Sequence, residues 1–74
     1  MSQSPGQMRV DTSFNPSQLP EVDQVKGVTL TVIDNLQPYV DQGGNRGRLA
    51  RIAQDKYEEA CMFAVKALTA QPGM

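Results

Sequence analysis

Histidine is missing from this 74-residue chain, and Cys61 is its only cysteine. A single thiol excludes an internal disulfide, and one Cys without His is a poor basis for a metal site. Hydrolase or nuclease chemistry is left without an imidazole, a metal constellation or an activated nucleophile. There is neither an apolar run long enough to span a bilayer nor a charged-then-apolar leader. Seven basic and eight acidic side chains give a net charge of -1, so no bulk field draws the chain to duplex nucleic acid or an anionic membrane. Any anion must be met by a local cluster. The lone thiol suits a reducing cytoplasm, and these absences predict a soluble, cytoplasmic protein that uses no cofactor and spans no membrane. A chain this short also struggles to bury enough apolar surface alone, and oligomerisation is the support left to it.

Residues 1–13, "MSQSPGQMRVDTS", are polar and show no periodicity, which reads as a flexible tail. In "FNPSQLPEVD", Asn15 can cap a turn opened by Pro16, or the chain runs extended until Pro20 opens a helix with Glu21 and Asp23 in its first turn. The second start is preferred. From there Val22, Val25, Val28 or Thr29, Ile33, Leu36 and Val40 recur at three- and four-residue steps, one apolar stripe on a helix over residues 20–41. Pro38 cannot donate to the carbonyl of Asp34 and clashes there, which predicts a kink, or an end near Gln37.

"DQGGN" breaks the chain, and so short a link predicts an antiparallel αα-hairpin, hence an all-α fold. The second helix is expected from about Arg46 to Thr69, with Leu49, Ile52, Ala53 and Tyr57 inward and Arg48, Arg51, Lys56 and Glu59 outward. Residues 60–65, "ACMFAV", are apolar all round, which a lone hairpin cannot bury. That stretch is expected to meet other chains, with Ala53, Ala60, Ala64 and Ala67 allowing close approach. Cys61 reads as a small buried hydrophobe, Glu58 and Glu59 as capping or salt-bridge residues facing Lys56 or Lys66, and Tyr39 and Tyr57 as core or interface.

"QGGNRGRLAR" gathers Arg46, Arg48 and Arg51 where a helix begins, the end of the dipole that favours anions. Arg48 and Arg51 share a helix face with the free N–H groups of the first turn, and guanidinium forks match phosphate oxygens. In a homo-oligomer the pair is repeated by symmetry, so several copies can surround one polyanion. Arg9→Ala, in the tail, is expected to leave ligand binding unchanged. The glycines follow a helix rather than a strand, so neither nucleotide-binding loop motif applies.

"GRLARIAQDKYEEACMFAVKALTAQP", preceded by "VDQVKGVTLTVIDNL" and "FNPS", resembles the small phage proteins of the anti-CBASS and Thoeris anti-defence hairpin family. The resemblance covers residues 14–72 and is strongest in "EEACMFAVKALT". It implies a compact helical-hairpin homo-oligomer, often a hexamer, that holds cyclic di- or trinucleotides, or cyclic ADP-ribose isomers, uncleaved and so starves the host effector. Lys26 then matches a basic residue set against ligand phosphates, and Arg48 the arginine opening the second helix. Phe14 and Asn15 match the aromatic and polar residues that cover the base. Two positions depart from the pattern: Phe63 stands where Trp is expected, and Asp55 where Thr is frequent, a carboxylate that would repel phosphate in a pocket. The alternative from another class is an adaptor, a helical oligomer that binds a protein through ordinary surface.

Overall fold

The computed structural model describes residues 4–10 and 19–70. Among these residues the elements are helices: α1 (Pro5–Arg9), α2 (Pro20–Gln42) and α3 (Gly44–Thr69). Helices α2 and α3 form the long antiparallel hairpin, and α1 packs against α2.

The start of α2 follows the expected chemistry, with Pro20 in the first turn and Glu21 and Asp23 beside it. Val22, Thr29 and Ile33 are buried, whereas Val28 is 65% exposed, so the stripe runs through Thr29. Burial of that hydroxyl is compensated by its bond to the Val25 carbonyl at 2.8 Å. No end occurs at Gln37: α2 continues through Pro38 to Gln42. The last turn is held by side chains that step over the proline. Gln54 Nε2 donates to the Ile33 carbonyl and to Gln37 Oε1, both at 3.0 Å, and Gln37 Nε2 donates to Asp41 Oδ1 at 2.9 Å. Pro38 itself faces solvent, where water can serve the Asp34 carbonyl that lost its donor.

Gly43 and Gly44 turn the chain at φ 74° and 68°, the left-handed region that glycine enters without cost to a side chain. Helix α3 therefore starts at Gly44, a little earlier than the sequence suggests. Just beyond, Gly47 is buried so closely that a Cβ there would lie 3.0 Å from the Val40 carbonyl oxygen and 3.1 Å from that of Tyr39. This approach sets the rotation of α3. Its inward residues are Gly47, Ala50, Gln54 and Cys61, and the expected inward set is overturned: Leu49, Ile52 and Tyr57 are 52%, 42% and 47% exposed. Small side chains face α2 because the helices lie close, and the larger ones are left outside. Tyr39 is exposed as well.

The tail reading is corrected between Ser4 and Val10. Ser4 Oγ accepts from the Gln7 N–H at 3.1 Å while Gln7 Oε1 accepts from the Ser4 N–H at 2.8 Å, a reciprocal capping box with Pro5 in the first turn. The helix is anchored where the Gly6 N–H donates to Asp34 Oδ1 at 2.6 Å. Val10 is buried against Ile33 and Cys61, with Val25 and Val65 around them, and this is the core.

Candidate functional site

Where α1 crosses the hairpin, a cleft of about 350 Å³ opens between all three helices. Its wall is mainly apolar, formed by Val10 from α1 and by Cys61, Met62 and Val65 from α3. Three cations border this floor: Arg9 from α1, Lys26 from α2 and Lys66 from α3. Among the described residues the acid on the wall is Glu58. Lys26 is the most enclosed of the cations at 6% exposure, so its ammonium sits where electrostatic attraction is less screened than at the surface. Lys66 lies over the Phe63 ring, 5.5 Å from its centroid, which steadies a long side chain at the rim.

Arg9 carries the charge balance of this region. Its Nη1 donates to Asp55 Oδ1 at 2.8 Å and to Glu58 Oε2 at 3.0 Å. Asp55 and Glu58 of α3 thus pair with α1, and the partner of Glu58 is Arg9 rather than a lysine of its own helix. Asp55 is outside the cleft wall, its side chain 61% exposed, and the repulsion expected of it is answered by the Arg9 guanidinium. Arg9 thus ties α1 to α3 and borders the cleft.

Among the described residues singled out from the sequence, Lys26, Arg48 and Arg51 do not converge within one chain. Lys26 lines the cleft beside Cys61. Arg48 and Arg51, both exposed, precede Cys61 by 13 and 10 residues (61 − 48 and 61 − 51), which places them about 20 and 15 Å along the axis of α3 at about 1.5 Å per residue. Arg48 Nη2 donates to Asn45 Oδ1 at 2.9 Å within the first turn, and Arg46 lies over the Tyr39 ring, 5.5 Å from its centroid. The arginine cluster and the cleft are therefore two stations of one chain. Phe14 and Asn15 lie outside the described residues.

Sequence reasoning missed Arg9 and Lys66 as wall residues of a cleft. The helix that carries the first is signalled, since Ser4-Pro5-Gly6-Gln7 has the Ser-x-x-Gln spacing of a capping box with proline at the first helical position. Nothing comparable marks Lys66, whose place depends on how α1 folds back.

Among the described residues no group of His, Cys, Asp and Glu is arranged to hold a metal ion, and no helix is long and apolar enough to cross a membrane. A cleft with an apolar floor and cationic rim suits an anion attached to a flat or apolar body. No protein-family model matches the chain, and no curated protein or solved structure matches it either.

Proposed function

We propose that this protein is a sponge: a phage or prophage anti-defence protein that captures cyclic di- or trinucleotide messengers in the cytoplasm and holds them uncleaved. The observation that carries this reading is the cleft in which Arg9, Lys26 and Lys66 ring the apolar surface of Val10, Cys61, Met62 and Val65. A phosphate would meet the cations and a nucleobase the floor, while the buried Cys61 serves as packing rather than as a nucleophile. The resemblance of residues 14–72 to the anti-defence hairpin family supports the same ligand class, and cyclic ADP-ribose isomers share its chemistry. Phe14 and Asn15 would cover the base.

The capturing unit is a homo-oligomer, a hexamer by that resemblance. Its support is the outer face of α3, where exposed Leu49, Ile52 and Phe63 alternate with the small residues Ala60 and Ala67. At about 100° per residue Ile52 and Phe63 lie about half a turn from Gly47, Ala50, Gln54 and Cys61, and Leu49, Ala60 and Ala67 about a third of a turn from them. The helix thus has a second apolar face that the hairpin leaves uncovered. In such an assembly Arg48 and Arg51 of neighbouring copies gather into a second anion station.

The test is whether the purified protein carries its ligand. Excess ultraviolet absorbance on the nucleic-acid side, lost on heating and recovered by chromatography as an intact ring, is the expected result. A linear product would overturn the sponge. A protein that carries and binds no cyclic nucleotide, yet assembles through Leu49 and Phe63, would instead be an adaptor.

A further inference from the structure

We propose that Arg9 is an exchangeable ligand-binding residue: Glu58 and Asp55 occupy it until a phosphate-class anion enters the cleft, and the anion then takes their place. This rests on the reading of the cleft as the capture site. Both carboxylates are held through one guanidinium nitrogen, Nη1, whereas a strong arginine–carboxylate pair uses two parallel donors. The Asp55 and Glu58 side chains are 61% and 38% exposed, so water competes for each contact and neither pair contributes much. A phosphate in the cleft offers the same guanidinium a bidentate partner in a less screened setting.

The scaffold permits the exchange. Helix α1 is anchored independently of Arg9, by the 2.6 Å bond from the Gly6 N–H to Asp34 and by the burial of Val10. Arg9 can turn from α3 towards the cleft without the helix leaving. Glu58 lines that cleft, so in the empty protein it has two effects: it holds Arg9 and it repels an incoming anion. An anion that engages one cation only, as a carboxylate does, gains little by displacing it. A phosphate diester that bridges Arg9 to Lys26 or Lys66 gains enough, and Glu58 thereby acts as a selectivity filter.

The experiment follows the Arg9 side-chain Nε–Hε signal in nitrogen-labelled protein, assigned by its loss in Arg9→Lys, during titration with inorganic pyrophosphate and separately with cyclic di-AMP. Affinities are measured in parallel for wild type, Arg9→Lys and Glu58→Gln. A saturable shift of the Arg9 signal with either probe is expected, with Glu58→Gln binding that probe about three- to tenfold more tightly and Arg9→Lys about tenfold more weakly. If a probe binds while the Arg9 signal stays put, or Glu58→Gln binds no more tightly, the exchange is wrong and the capture reading is untouched. If pyrophosphate meets the expectation and no cyclic nucleotide of any class binds, the exchange stands and the capture reading falls. Failure of both probes to bind at millimolar concentration overturns the exchange.

Discussion

The side-chain amide of Gln54, 1% exposed, donates at 3.0 Å to the main-chain carbonyl of Ile33, which is itself fully buried. This polar contact in the middle of the hairpin locks the register of α3 against α2, since a shift by one turn would bury the amide without a partner. Gln54→Ala removes it and leaves a void, and is expected to lower unfolding free energy by about 1–3 kcal/mol in urea denaturation. Gln54→Leu keeps the volume and should cost less, but with broader hairpin signals in NMR as the register loosens. Equal and sharp spectra for both would show that the amide is incidental.

Two glycines permit close packing and give a second test. A Cβ at Gly6 would meet the Leu30 carbonyl oxygen inside contact distance and lie 2.9 Å from Asp34 Oδ1, so Gly6→Ala should release α1. Hydrogen exchange would report it as lost protection at residues 6–10 with α2 and α3 unchanged. Gly47→Ala should instead push the hairpin ends apart and lower the stability of the whole by about 1–3 kcal/mol. Gly27, where an added Cβ meets nothing, is the control, and Gly27→Ala should stabilise by about 0.5–1 kcal/mol. Retention of α1 protection in Gly6→Ala would contradict the docking geometry.

The outer face of α3 makes a prediction about assembly. Leu49, Ile52 and Phe63 are exposed in the single chain, and burial of each large apolar side chain contributes about 1.5–3 kcal/mol. Phe63→Asp and Leu49→Asp should each dissociate the proposed oligomer, and light scattering should then give the monomer mass. Arg48→Ala, at a polar position near the hairpin turn, should leave the mass unaltered. A wild-type monomer at micromolar concentration would remove the assembly from the account.

Much of the hairpin is legible in the residues themselves, because Pro20, the stripe from Val22 to Val40 and the paired glycines are local signals with local causes. The rotation of α3 is not. Its large apolar residues mark the outer face, and the inner face of Gly47, Ala50, Gln54 and Cys61 reads as the weaker one until the closeness of the helices is known. Pro38 misleads for a related reason, since the Gln54–Gln37–Asp41 chain that carries α2 past it is a tertiary feature. Lys26 enters the site through the family resemblance alone. Arg9 depends on the path that brings α1 back across the hairpin, and no periodic pattern in five residues encodes that path.

Capture of a cyclic nucleotide in the cleft is tested most directly by calorimetric titration of cyclic di- and trinucleotides and cyclic ADP-ribose isomers into wild type and Lys26→Met. The substitution removes the ammonium while keeping most of the buried stem, so folding should survive and can be verified by the thermal transition. The account predicts that at least one ring binds wild type at micromolar concentration or below. It predicts that Lys26→Met binds that ring about ten- to a hundredfold more weakly, the loss of one charge-assisted contact in a shielded site. Equal affinities in the two proteins, or no heat with any member of the panel, would contradict it.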